Sequence, residues 1–215
     1  IRRIGHERWL RHVPAALAAN PEAVLAASGD GDVLWIFGPT PSAEAPPDPA
    51  LSQHWRLIAQ LDRFGRGQRY HHADGSGQQQ DTPHGHLIGL ADGVGRRYRL
   101  NYQRIHAGRP SAGLLQADDG WRLVAVELVS DPVGIGTLPL TLVRYGYSPQ
   151  GDLLTVHDRA GVLVREFEVE HHRITAHRQR GGPWHSYRYA SAQPGARVIE
   201  HSNQQGLGYR FEYLS

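Results

Sequence analysis

The chain has 215 residues, enough for one large all-β domain or two small ones. Its 23 basic residues are all arginine and face 21 acidic ones, and the resulting net charge of +2 leaves no footprint for a polyanion. It has no cysteine, which excludes a disulfide framework, a cysteine metal site and a thiol nucleophile.

Twenty-five glycines and 14 prolines punctuate the chain densely, as many short strands require. A hydrophobic content of 40% suits a single sheet better than a thick core. No apolar run approaches the roughly 20 residues of a membrane helix. The chain has no methionine and begins at Ile1, so a piece of a much longer chain is expected.

In chain order, residues 1–13 alternate loosely, are basic, and read as an edge strand. Residues 14–28 are the one helix-favouring stretch, and Asn20-Pro21 splits it, so at most one short helix is expected there. Gly29 to Asp32 is a turn and Val33 to Phe37 a short strand. The proline-rich residues 39–50 read as a loop. Trp55 to Leu61 restarts the sheet, and Gly75 opens another loop. Trp121 to Val129 is a strand on which Arg122 and Glu127 are expected to be solvated. Connectors at 107–120 and 130–139 are the best places for a boundary, if there is one.

The C-terminal third carries the clearest pattern. Asn203 and Gly206 are followed by Tyr209, Phe211 and Tyr213, which lie 3, 5 and 7 residues after the glycine. Asp92 and Gly95 are followed at the same spacing by Tyr98, Leu100 and Tyr102. Asp or Asn caps its own backbone and Gly accepts positive φ, so each unit opens with a turn. Period-two alternation then places the aromatic residues on one face of a strand. Turn and strand in repetition predict hairpins laid side by side, each needing its neighbours to bury its face. After Gly161 the apolar positions slip by one, to Phe167 and Val169, which predicts a bulge or a longer turn. Spacing between units is uneven: 30 residues from Asp62 to Asp92, 66 to Asp158 and 45 to Asn203.

Tyr145-Gly-Tyr147, Gly151-Asp152-Leu153-Leu154, Val156-His157-Asp158 and Gly161 together resemble the YD repeat of the Rhs family. Leu87 to Tyr102, Trp184 to Tyr189 (with Tyr187 and Tyr189) and, more weakly, Asp62 to Tyr70 are similar to it as well. The resemblance covers residues 55–215, and 1–54 only by position. Ser148 and Ala190 stand where the family has Asp. The resemblance implies an all-β strip of stacked antiparallel hairpins over 55–215, led in by strands and Ala-rich and Pro-rich loops over 1–54. It also implies that the strip is part of a spiralling hollow cocoon around a C-terminal toxin. Implied partners are the rest of the shell, the enclosed toxin, and a secretion chaperone or spike protein. Implied delivery is from a bacterial cytoplasm by type VI secretion or as the C component of a Tc toxin. No cofactor, nucleic acid or membrane segment is implied, and no catalytic residue within this stretch.

Other chemistry weighs less. His71-His72, His84 with His86, and His171-His172 with His177 are clustered, but without helical ligand spacing they read as exposed turn residues rather than a metal site. Asp131-Pro-Val-Gly-Ile resembles the aspartate-centred motif by which Rhs proteins release their C-terminal segment. Aspartyl chemistry needs a second carboxylate, and no second copy of the motif follows. Alternating Tyr and Arg, as at Tyr187-Arg188-Tyr189, can stack on sugars, so a surface module that binds carbohydrate is the alternative reading.

Overall fold

The computed structural model describes residues 23–39, 55–73, 85–108, 118–134, 136–193 and 195–213. Among these residues the chain is all β, with no helix. The strands are β1 (Val24–Ala27), β2 (Val33–Pro39), β3 (Trp55–Asp62), β4 (Gly67–His72), β5 (Leu87–Ala91), β6 (Arg97–Arg104) and β7 (Trp121–Ser130). They continue with β8 (Leu140–Tyr147), β9 (Leu153–Asp158), β10 (Leu163–Glu170), β11 (Arg173–Gln179), β12 (His185–Tyr189), β13 (Val198–Asn203) and β14 (Gly208–Arg210). Each strand is hydrogen-bonded to the next in chain order, forming one open antiparallel sheet of 14 strands. The chain divides into two compact units, Ile1–Asn101 with Glu127–Leu140, and Tyr102–Val126 with Thr141–Ser215.

Part of the helix-favouring window is a strand. Val24–Ala27 pairs with β2, Ala26 opposite Trp35 and Ala27 opposite Leu34. Cross-strand packing on large neighbours outweighs the helix propensity of alanine here. The expected edge strand at 1–13, residues 14–22, most of the proline-rich loop, the loop from Gly75 and the middle of the 107–120 connector lie outside the described residues.

The aliphatic core of the first unit sits on β2 and β3. Leu34 and Ile36 lie on one face of β2 and pair with Leu61 and Ala59 of β3; all four are at most 4% exposed. Ala23, Leu25, Ala27 and Ile58 close around them.

One turn design joins strands repeatedly. At Asp92 the Gly95 amide donates to the Asp92 carbonyl, and the Asp92 amide donates to the Arg96 carbonyl. Oδ1 of Asp92 accepts from the amides of Val94 and Arg96. The same four bonds recur at Asp62, Asp158 and Asn203. Ser148 makes them with its hydroxyl, so the departure from Asp there keeps the turn. Gly95 and Gly206 each have φ of 88°, a region open to glycine at no steric cost.

The slip after Gly161 is visible as two irregularities in β10, between Leu163 and Arg165 against β9 and between Glu168 and Val169 against β11. The β10–β11 connection is a two-residue turn in which His171 and His172 both take positive φ, at 51° and 59°, the conformation such a hairpin demands. Arg122 and Glu127 are not solvated as expected. Their side chains are 22% and 19% exposed, because Arg122 pairs with Asp118 and Glu127 with Arg99.

Candidate functional site

The turn is half of a longer unit, and the other half is a contact across the mouth of the hairpin. In β11–β12 the registered pairs are His177 with His185 and Ala176 with Ser186. Beyond them, the Tyr189 hydroxyl donates to the carbonyl of Ile174 at 2.8 Å. In β13–β14 the last registered pair is Glu200 with Arg210, and the Tyr213 hydroxyl donates to the carbonyl of Val198 at 2.7 Å. In β3–β4 the last pair is Ala59 with Arg69, and Nε2 of His72 lies 3.0 Å from the carbonyl of Leu57. In all three the side chain reaches back 15 residues. A carbonyl left by the splaying ladder needs a donor, and a ring with a polar tip provides one without closing the strands.

This contact exposes a repeat of 24 residues. Arg173, Ile174, His177, Gly182, His185, Tyr187 and Tyr189 correspond to Arg197, Val198, His201, Gly206, Tyr209, Phe211 and Tyr213. The guanidinium groups of Arg173 and Arg197 lie 4.7 Å from the ring centres of Tyr189 and Tyr213, in the same cation–π arrangement. His86, Leu87, Leu90, Gly95, Tyr98, Leu100 and Tyr102 occupy the same spacing upstream. Tyr147 belongs to the series too, donating to the carbonyl of Leu123 at 2.8 Å after a longer connection.

On the face of β10 to β14 the rings join into a ladder. Phe167 stacks on His177, His177 on His185 and Tyr187, His185 and Tyr187 on His201, and His201 on Tyr209. Centroid distances run from 5.0 to 6.2 Å along these contacts. Tyr209 stacks in turn on Phe211. At the end of the sheet Tyr209 of β14, and Phe211 and Tyr213 just beyond it, are about half exposed. The opposite face carries ion pairs between directly facing residues, Glu166 with Arg178 and Arg188 with Glu200.

The electrostatics follow the geometry. Burial lowers the pKa of His177 below its ordinary value of 6.5, helped by His185, Arg165 and His201. Burial pushes the Asp92 carboxyl up, but hydrogen bonds from Arg96, Tyr98 and two amides outweigh it and hold the group below the usual carboxylate range. The Arg122 guanidinium holds Asp118 far below that range.

The sequence-selected residues divide by role. Asp92, Asp158 and Asn203 cap turns, with Gly95, Gly151, Gly161 and Gly206 at positive φ in the same turn design. Tyr147, Tyr189 and Tyr213 close hairpin mouths, whereas Tyr98 donates to its own turn aspartate at 3.0 Å. Tyr187, Tyr209 and Phe211 lie in the ladder. Tyr145 pairs with Val156 on the next strand, and Tyr102 is half-buried in β6. The histidine reading needs correction: His71 and His72 lie in β4 and His177 in the middle of β11, while His171 and His172 do form a turn. His84 lies outside the described residues. Sequence reasoning passed over His185 and His201, although both fall on the alternating aromatic face. Asp131 caps a turn with two of those four bonds, its Oδ1 accepting from Val133 and its carbonyl from Gly134.

No protein-family model matches the chain. The toxin protein Tse5 of Pseudomonas aeruginosa is 34% identical over 216 residues, which cover 96% of this chain and 14% of that protein. The chain is homologous to a segment of a toxin. The double-stranded DNA deaminase toxin A of Burkholderia cenocepacia is 34% identical over 71 residues, 33% of this chain and 5% of that toxin. Among solved structures, a Tc holotoxin pore of Photorhabdus luminescens matches with a TM-score of 0.36 and 14% identity, over 84% of this chain and 11% of its own. The toxin homologue thus shares nearly all of this chain, which spans a small part of that relative's length.

Proposed function

We propose that this chain is a non-catalytic section of an Rhs-repeat shell whose longer protein encloses a C-terminal toxin for delivery in competition between bacteria. The observation that carries the reading is the repeated hairpin unit, in which turn cap, ladder ring and mouth-closing tyrosine recur in chain order along an open sheet. Such a unit extends a wall by addition, and enclosure removes the free edges that an open sheet presents. Similarity to a segment amounting to 14% of a toxin supports a section of wall rather than the toxic part. The deaminase named among the relatives does not alter this, because base-deaminase zinc sites take cysteine ligands and this chain has no cysteine. The wall begins before residue 55, since β1 and β2 continue the same sheet as the strands of residues 55–215. The wall's partners are the rest of the shell and the enclosed toxin.

Limited proteolysis of the full-length protein tests the proposal. With the wall intact, the C-terminal segment should resist a protease that digests it once β11–β14 are deleted. Equal cleavage with and without the deletion contradicts the reading. A second reading has one observation in its favour, the half-exposed Tyr209, Phe211 and Tyr213 with Arg197 over Tyr213, which resembles a sugar-stacking surface. Retention of the full-length protein on a glycan array, lost on Tyr209→Ala, would favour it.

A further inference from the structure

Three histidines of the ladder form a contiguous file. His177 and His185 are 5.3 Å apart between ring centres, and His185 and His201 are again 5.3 Å apart. Nδ1 of His185 lies 3.1 Å from Nε2 of His201, so one nitrogen donates and the other accepts. That bond survives one shared proton but not two, because two imidazolium rings would meet donor against donor. The hydroxyl of Tyr187 lies 3.3 Å from Nδ1 of His177.

Among the described residues, the groups facing the file offer no counter-charge. β10 presents Arg165 and Phe167, β11 ends on Gln179, β12 adds Tyr187, β13 has Asn203 opposite His185, and β14 contributes Tyr209. The nearby carboxylates, Glu166 and Glu200, lie on the opposite face in their own ion pairs with Arg178 and Arg188. Arg165 is a like charge and adds to the repulsion.

We propose that His177, His185 and His201 form an acid-sensitive switch, which loosens β11–β14 once more than one ring of the file is protonated. A single proton is accommodated between aromatic faces, and each further one places charge beside charge. The sign follows from linkage. His177 binds its proton less readily folded than unfolded, so its contribution is complete above its ordinary value of 6.5 and is lost as pH falls below it. This switch does not depend on the shell reading, and its test can fail independently of the proteolysis test.

Hydrogen–deuterium exchange of the full chain, corrected for intrinsic pH dependence, tests it. Peptides from β11–β13 are compared with peptides from β2–β3, strands without histidine. From about pH 7.5 to about pH 5, protection of β11–β13 relative to β2–β3 should fall severalfold, because protons added to the file are repelled by one another and by Arg165. The double variant His185→Phe with His201→Phe, which keeps the stacked rings, should respond less, losing the ring-on-ring repulsion while burial of His177 remains. An unchanged ratio in the native chain overturns the proposal, as does an equal acid response in the folded double variant. If the double variant is already unprotected at about pH 7.5, His177→Phe takes its place, with the same two outcomes.

Discussion

Hairpins β3–β4 and β11–β12 share a construction and differ in what fills their faces. Each closes its mouth with a ring that reaches back 15 residues to a carbonyl, His72 to Leu57 and Tyr189 to Ile174. β3 buries Ala59 and Leu61 almost completely against β2. In β11–β12 Ala176 alone is comparably buried, and the ring face is held by stacking of His177, His185 and Tyr187. The hairpin therefore comes from its turn and its closing contact, and the face is free to be aliphatic or aromatic. An aliphatic face makes a core, whereas an aromatic and histidine face makes a surface that responds to protons.

Mutations can break this comparison in graded steps. Ile36→Ala should do the most damage, about 3 kcal/mol by equilibrium denaturation, since Ile36 is fully buried and leaves a cavity. Asp92→Ala should follow at about 2 kcal/mol, because it removes the acceptor for two amides and for Arg96 and Tyr98 together. Asp92→Asn should cost less, as Asn203 already makes both amide bonds in its own turn. It should also abolish the acid dependence of that turn. The Asp92 carboxyl is held low when folded, so its contribution is present above the ordinary 3.8 and is lost as pH falls through lower values. A pH titration of stability in the two proteins checks the sign.

Tyr189→Phe should cost about 1 kcal/mol by removing the donor to Ile174 while leaving the ring under Arg173. Tyr213→Phe removes the equivalent bond at the half-exposed end of the sheet, where water can replace it, and should cost less than about 0.5 kcal/mol. Equal losses at the two sites would show that the closing contact does not depend on its surroundings.

The turns were legible in sequence because their chemistry is local. An Asp or Asn oxygen accepting amides two and four residues on, with glycine in between, leaves a short signature. Ser148 escaped that signature because a hydroxyl can fill the role of a carboxylate. The repeat of 24 residues escaped for a different reason. Its markers, Arg173 and Ile174 against Tyr189, lie on two strands, and a pattern read forward from each glycine covers only the second. The histidine ladder was legible in principle, since His177, His185 and His201 fall on the same alternating face as Tyr187 and Tyr209. Reading histidine as polar turn decoration concealed it. Val24–Ala27 depends on cross-strand neighbours that local propensity does not represent.

The most direct test of the shell account is a density map of the full-length protein by electron cryo-microscopy. The account predicts a closed wall in which β1–β14 run as consecutive strands, with separate density for the C-terminal segment inside it. An extended open ribbon, or a solid particle without an interior, would contradict it.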